Sequence, residues 1–190
     1  MNKTQRRSLF MGLLLLGIGV VTGRAQAAST DSITISVTPN ATFGVTISSP
    51  YVGGYNFGLV NLNSSTVSTL AITLTNSGSI YEYFGISVSN TSGGGNPWTT
   101  TGVAPSTDTF RMWAQLNASP PAINSVNFST IGNTAPSAAA TLYGQASTKT
   151  SSAGGSNTQK LWLQLDMPFT LNTGGTGAQT MTVSVTGQAS

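Results

Sequence analysis

Cysteine and histidine are both absent from this chain of 190 residues, and charge is scarce, with 7 Lys or Arg and 4 Asp or Glu. The lack of cysteine excludes a disulfide framework. The lack of both residues excludes Ser-His-Asp and Cys-His catalytic centres and leaves zinc without its usual ligands. The sequence therefore predicts no enzyme and no cofactor. Calcium stays open, although no DxDxDG pattern occurs, because four carboxylates remain, far apart in the sequence: Asp31, Glu82, Asp108 and Asp166.

The N-terminal residues have the three parts of a secretory signal. A basic start (1–7) is followed by an apolar run over 9–21 and by the small-x-small site Ala25-Gln26-Ala27. A membrane anchor is the alternative, but a spanning helix needs roughly 20 apolar residues, more than this run supplies. We expect cleavage after residue 27, a mature chain from Ala28, and a secreted or cell-surface location, extracellular or periplasmic. Contact with the membrane is expected only through the signal of the precursor.

The net charge of the expected mature chain differs from that of the precursor. Four of the seven basic residues precede the cleavage site, which leaves three basic against four acidic residues, a net charge of −1. No electrostatic footprint for nucleic acid remains. A nearly neutral surface offers little repulsion between copies, so we expect self-association or binding to another surface protein. The precursor residues concerned are Lys3, Arg6, Arg7 and Arg24.

Apolar residues alternate with Ser and Thr over most of the chain, the period of a half-buried strand. The pattern predicts one all-β domain over 28–190, a two-sheet antiparallel sandwich of Ig-like or jelly-roll type. A Ser/Thr/Gly-rich stretch near 146–159 is predicted to be a mobile loop, and 90–98 a flexible hairpin loop. The predicted strands are 33–38, 43–47, 55–60, 67–75, 80–89, 109–117, 159–166 and 179–187, with a weaker one at 140–147.

The alternation also predicts which side chains face the core. Five strands each present an apolar side, and turn residues separate them. The predicted core faces are Ile33, Ile35 and Val37; Leu70, Ile72 and Leu74; Phe110, Met112, Ala114 and Leu116; Leu161, Leu163 and Leu165; and Met181, Val183 and Val185.

The opposite faces of these strands hold aromatic and planar polar side chains, which suit a protein interface or a glycan platform. Loops that cover them as a second small core are the alternative. Trp113 and Trp162 are predicted to lie near each other on one outer face. The candidate interface or glycan face is Tyr81, Tyr83, Arg111, Trp113, Gln115, Trp162 and Gln164.

Glu82 falls on the apolar side of its predicted strand, where an unpaired carboxylate is costly. One interpretation starts the strand at Tyr83 and leaves Glu82 at its edge. The other pairs Glu82 with Arg111 or Lys160, as an inward charge that blocks wrong strand pairing.

The stretch from Tyr55 to Val88 resembles Ig-like domains of the abnormal-spindle/hydin group. Phe57-Gly58-x-Val60 ends a predicted strand, and "AITLTNSG" follows as a second strand closed by Asn76-Ser77-Gly78. The resemblance implies an Ig-like sandwich used for adhesion or assembly. The signal, the "LTNSG" strand end and the chain length are also similar, more loosely, to exported matrix-fibre subunits of the TasA and camelysin type.

These observations predict an exported, non-catalytic structural or adhesive protein, a subunit of a cell-surface or extracellular-matrix assembly. A secreted carbohydrate-binding module with exposed aromatics is the alternative. The segment "STDSITISVTPN" adds a hypothesis about assembly: its strand, with Ile33, Ile35 and Val37 on one side, leaves its own domain and completes a neighbour's sheet. Pro39 and Asn40 would form the hinge. An ordinary edge strand is the alternative.

Overall fold

The computed structural model describes residues 33–48, 54–134, 143, 157–172 and 174–189. The chain divides into two units, 1–39 and 40–190. In the first unit, the described residues 33–39 form no strand, and the side chains of Ile33, Ile35 and Val37 are 85%, 78% and 82% exposed. The predicted strand 33–38 is therefore wrong for the single chain, because its residues have no strand partner within the described ranges and a lone strand leaves its backbone groups unpaired. The predicted signal peptide lies outside the described residues.

The second unit is built from strands, and its described part contains no α-helix, which confirms the all-β class. Two of the strands are long and central, and several others contribute only two or three residues. Their bounds are β1 Val45–Ser48, β2 Ser65–Val67, β3 Ile72–Asn76, β4 Glu82–Val88, β5 Ser92–Gly93, β6 Thr99–Thr100, β7 Thr109–Leu116, β8 Ser129–Ile131, β9 Thr158–Asp166, β10 Gln179–Thr180 and β11 Val183–Ala189.

Seven strands form one sheet that curls into a half-barrel. The strand order is β1-β3-β9-β7-β6, with β2 also paired to β9 and β8 to β7. All of these pairs are antiparallel except β6 with β7. β9 therefore occupies the centre, with β7 along one edge and β2 followed by β3 along the other.

The predicted strand 67–75 is broken into β2 and β3 beside β9. Val67 pairs with Gln164 and Ile72 with Leu161, and between them Ser68 keeps one backbone hydrogen bond to β9, from its N–H to the carbonyl of Leu163 at 2.8 Å. There the hydroxyl of Ser68 accepts the N–H of Leu163 at 3.2 Å in place of a backbone carbonyl. The break turns Leu70 outward, 56% exposed, so its predicted place in the core is wrong.

Two further sheets have two strands each, β4 with β11 and β5 with β10. The β4–β11 register runs from Val183 opposite Val88 to Ala189 opposite Glu82. The N–H of Val88 donates to the carbonyl of Gly132 at 2.8 Å, which joins the end of β4 to the residue after β8.

One hydrophobic core takes side chains from both the seven-stranded sheet and β4. The predicted core faces of β7 and β9 are confirmed, as are Ile72 and Leu74 of β3. Met181, Val183 and Val185 are partly buried and pack against this core. The fully buried large side chains include Leu74, Phe84, Ile86, Phe110, Met112, Ile131, Tyr143 and Leu161.

Other strand predictions fail for local reasons. Residues 55–60 form no strand, because the side-chain oxygen of Asn56 accepts the N–H of Gly58 at 2.8 Å and Gly58 takes a φ of 72°. A side chain that bonds its own backbone competes with a ladder. The predicted strand 179–187 is split into β10 and β11, and the short strands β5, β6 and β8 carry no alternation and were not predicted.

The weak strand 140–147 and the loop near 146–159 lie mostly outside the described residues. Tyr143 is described and is not in a strand. Its side chain is fully buried, and its hydroxyl donates to the carbonyl of Ile86 at 3.1 Å. Residues 158 and 159 already belong to β9.

Candidate functional site

A mostly apolar groove of about 840 Å³ opens into the core. One wall is β11, and another is the irregular segment 54–62. Side chains of β3, β7 and β9 form the deepest part. The main apolar lining is Ile47, Phe57, Val60, Leu62, Ile72, Met112, Leu161, Leu163, Leu165, Met167, Leu171, Met181, Val183 and Val185.

The sequence makes β11 a one-sided wall of this groove. Val183 and Val185 alternate with exposed Ser184 and Thr186, so the strand turns its apolar side toward the core. On one edge β11 pairs with β4, and on the other it has no strand partner within the described residues. An unpaired edge next to apolar side chains is the arrangement that accepts an added strand.

Glu82 lies fully buried at the start of β4, and both interpretations from the sequence are wrong. The strand begins at Glu82 itself, and the carboxylate accepts the N–H of Gly44 at 3.2 Å instead of pairing with a cation. Its other oxygen has no hydrogen-bond partner in the part of the chain that the structure describes. Burial raises the pKa of Glu82, and the Gly44 hydrogen bond only partly opposes this. A Cβ on Gly187, the neighbouring residue of β11, would overlap this carboxylate.

The outer face of β7 and β9 consists of three consecutive cross-strand pairs. Arg111 lies opposite Asp166, Trp113 opposite Gln164, and Gln115 opposite Trp162. The two tryptophans are thus diagonal neighbours on one face, and neither belongs to the hydrophobic core.

Asp166 is the centre of this outer-face cluster. Its Oδ2 accepts from Arg111 Nε at 2.8 Å and from Trp113 Nε1 at 2.7 Å, and its Oδ1 accepts from Gln164 Nε2 at 2.8 Å. Arg111 also stacks 4.4 Å above the Trp113 ring. Burial alone would raise the pKa of Asp166, but hydrogen bonds from Trp113, Ser65, Gln164 and Arg111 outweigh it and lower that pKa. Both oxygens of Asp166 accept hydrogen bonds, so the cluster has the geometry of a contact that stabilises the fold.

A loop after β7 lies over part of this face. The backbone N–H of Asn124 donates to Gln164 at 2.7 Å, and Gln164 donates back to the Asn124 side chain at 2.9 Å. Trp162 is 5% exposed and donates to the carbonyl of Asn117 at 2.9 Å. Gln115 is also buried, while Arg111 and Trp113 stay partly exposed.

The remaining two candidate residues lie elsewhere. Tyr83 is on β4 and is half-buried, and Tyr81 just before it is 57% exposed. They belong to a different sheet from the cluster at Asp166. The structure therefore brings Arg111, Trp113, Gln115, Trp162 and Gln164 together and leaves Tyr81 and Tyr83 apart.

Sequence reasoning missed a second carboxylate cluster at Asp108. Its Oδ2 accepts from the side chain of Asn96 at 2.9 Å, and its Oδ1 accepts the backbone N–H of Asn172 at 3.0 Å. Asp108 has a φ of 54°, a left-handed conformation that Asp and Asn tolerate better than most residues. The partners come from separate loops, so no spacing in the sequence predicts this contact. It ties the loop before β7 to the loop after β9.

No group of three or more His, Cys, Asp or Glu side chains able to hold a metal occurs among the residues that the structure describes. Within that same part of the chain, no helix has the length and apolar character needed to cross a membrane. No known family model matches the sequence, and no curated protein is significantly similar to it.

Proposed function

We propose that this protein is an exported, non-catalytic subunit of a cell-surface or extracellular-matrix assembly, with a structural or adhesive role. The observation that carries this is the apolar groove beside the edge of β11 that has no strand partner among the described residues. Soluble monomers usually cover or charge such an edge. Here Ser184 and Thr186 flank it instead, so the edge remains suited to a protein contact.

The chemistry of the described carboxylates supports a role without catalysis. Asp166 and Asp108 are held by hydrogen bonds within the fold, and Glu82 is sealed in the core. A general acid or base must reach the proton that it transfers, and these three side chains are aimed at the protein itself.

The fold proposed here is a two-sheet antiparallel sandwich of Ig-like or jelly-roll type, in which β4 and β11 form the layer facing the curled sheet. The shared core supports this, because Phe84, Ile86 and Val88 of β4 join the same cluster as the side chains of β3, β7 and β9. The resemblance of 55–88 to Ig-like adhesion domains agrees with it. Export rests on the basic start, the apolar run and the cleavage site of residues 1–27.

Assembly is tested with the mature chain from Ala28. Sedimentation velocity over a wide range of concentrations, followed by negative-stain microscopy, should show oligomers or fibres that grow with concentration. A single monomeric species at every concentration, with no partner captured on intact cells, would contradict the proposal.

Carbohydrate binding is the second candidate, and exposed Tyr81 next to half-buried Tyr83 is the observation that favours it. Aromatic rings at a surface stack on sugar rings. The burial of Trp162 and Gln164 reduces the platform expected on the other sheet. A glycan binder should remain monomeric and change its intrinsic fluorescence when oligosaccharides are added, and Tyr81→Ala should abolish that change.

A further inference from the structure

We propose that the groove accepts a β-strand from a second copy of this chain, and that residues 33–37 are that strand. The inference rests on the proposed assembly function and specifies its contact. Each copy would insert its N-terminal segment along the free edge of β11 of the next copy. Because the donor and the acceptor are different surfaces, the contact repeats head to tail and does not close by itself.

The segment has the composition of a strand with one apolar side. Ile33, Ile35 and Val37 alternate with Thr34 and Ser36, and β-branched residues favour extended structure. All three apolar side chains are at least 78% exposed in the single chain. Exposed alternation of this kind in a strand-forming segment is an aggregation hazard unless a sheet receives it.

The groove has the complementary features. Its wall, β11, offers an unpaired edge within the described chain, and its interior is lined by side chains of β3 and β9 such as Ile72 and Leu163. Backbone hydrogen bonds along the edge would supply affinity, and pockets for alternate side chains would supply specificity.

The spacing of the apolar side chains on the donor segment also matches the spacing on β11. Paired residues of neighbouring strands point to the same face of a sheet. β11 has inward side chains two residues apart at Val183 and Val185, and the apolar side chains of the donor have the same spacing. The space beside Gly187 is filled by the Glu82 carboxylate, so the contact is centred on the two valines.

The second copy is favoured over an unrelated ligand because the chain itself provides the matching segment. The near-neutral charge of the expected mature protein places no repulsion between copies. A lipid or another aliphatic molecule would satisfy the apolar lining but would leave the backbone edge of β11 unpaired. Insertion of the segment into the groove of its own chain would satisfy both the apolar lining and the backbone edge. Cross-linking distinguishes that alternative from the proposal.

A binding experiment uses the chain from Asn40, which forms a compact unit and contains every core residue. A labelled peptide of residues 31–40, "DSITISVTPN", should bind saturably in fluorescence anisotropy. Ile35→Asp in the peptide should weaken binding by about tenfold or more, since one buried aliphatic side chain contributes that much. Ser36→Asp is the matched control, with the same charge on the polar side, and should change affinity by less than about threefold.

Two results of this experiment would overturn the proposal. One is no peptide binding, or an equal loss for Ile35→Asp and Ser36→Asp. The other is a fluorescent fatty acid that binds the chain from Asn40 and is not displaced by excess peptide, which would make the groove a site for aliphatic ligands.

Cross-linking tests the second copy directly and does not depend on peptide affinity. The chain lacks cysteine, so any disulfide between Ile35→Cys in one molecule and Val185→Cys or Val183→Cys in another reports a contact of that geometry. The mixture should give a covalent dimer, with Thr186→Cys on the exposed side as the control. A chain carrying both changes that closes into a cross-linked monomer, without dimers, would mean own-chain insertion and would overturn the proposal.

The failure of this inference is distinct from failure of the proposed function. If the mature chain assembles and the chain from Asn40 assembles equally well without binding the peptide, strand insertion is wrong and the assembly function stands. If the mature chain never assembles but the peptide binds with the expected selectivity, the groove is an acceptor for the strand and the proposed assembly is wrong.

Discussion

Asp166 and Glu82 are both buried carboxylates, but they lie in regions of opposite character. Asp166, on the outer face of the curled sheet, receives hydrogen bonds on both oxygens and pairs with Arg111. Glu82, at the start of β4, has one backbone donor and, among the described residues, one oxygen without a partner. Their pKa values accordingly shift in opposite directions, down for Asp166 and up for Glu82.

The difference extends to the surroundings of the two residues. The outer face at Asp166 is completed by cross-strand pairs and a covering loop. Among the described residues, the sheet of β4 and β11 has two strands and borders an open groove. Within that part of the chain, both carboxylate oxygens of the first region are paired, whereas the second region has an unpaired strand edge and apolar surface. Because of this contrast, the proposed interaction surface is on the side of β11 rather than on the tryptophan face that the sequence favoured.

Removal of the Asp166 charge should give the largest effect. Asp166→Asn leaves partly buried Arg111 without its ion pair and should lower the free energy of unfolding by about 2–4 kcal/mol. Asp108→Asn is the matched control, because its partners are amide groups, and should cost less than about 1 kcal/mol. Denaturant unfolding measures both. Equal losses would show that the Asp166 cluster is no stronger than an ordinary loop contact.

The variant Glu82→Gln tests the raised pKa of Glu82 through the pH dependence of stability. A raised folded pKa means that the folded state binds the proton more tightly, so the stability due to Glu82 is present below its ordinary pKa of 4.5 and is lost as pH rises through the folded value. At about pH 8 the variant, which cannot ionise, should be about 1–2 kcal/mol more stable than the wild type.

The two carboxylates should also act in separate pH windows. The contribution of Asp166, whose pKa is lowered, is present above its ordinary value of 3.8 and is lost as pH falls through the folded value. Thermal melts across pH should therefore show an acid limb that Asp166→Asn reduces and a higher-pH limb that Glu82→Gln reduces. A stability profile of Glu82→Gln that matches the wild type at every pH would contradict the assignment.

The last expected effect concerns the covering loop. Asn124 has a φ of 60°, and its side chain accepts from Gln164. Asn124→Ala should cost about 1–2 kcal/mol, from the lost hydrogen bond and the left-handed backbone. Asn124→Gly removes the same hydrogen bond but tolerates the backbone, so it should cost less. A larger loss for Gly than for Ala would mean that the loop does not hold this conformation.

The sequence was informative where a strand alternates without interruption. Phe110, Met112 and Leu163 were assigned to the core correctly, because a period of two fixes the face of every residue in a paired strand. It failed at Leu70, where the strand breaks at Ser68, since a side chain replacing a ladder carbonyl has no signature in the hydrophobic pattern.

The candidate site was predictable only in part, for a similar reason. The neighbourhood of Trp113 and Trp162 followed from alternation on two strands, but the hydrogen bond from Trp113 to Asp166 depended on strand register. The groove could not be predicted, because it results from the irregular path of 54–62, which a hydrogen bond between Asn56 and Gly58 fixes locally. The separation of Tyr81 from this cluster depended on strand order, which local periodicity does not contain.

The central position of β9 sets the order in which the chain can fold. Leu161 of this strand pairs with Ile72, and Ala189 at the other end of the molecule pairs with Glu82. The N-terminal half of the chain contains the β1–β3 pair but neither β9 nor β11, so it cannot complete the seven-stranded sheet or the β4–β11 pair by itself. Topologies dominated by such distant pairings fold in milliseconds to seconds, more slowly than helical ones. On the proposed export route, which delivers the N-terminus first, the strand-forming segment at 33–37 would emerge before any acceptor groove in its own chain exists.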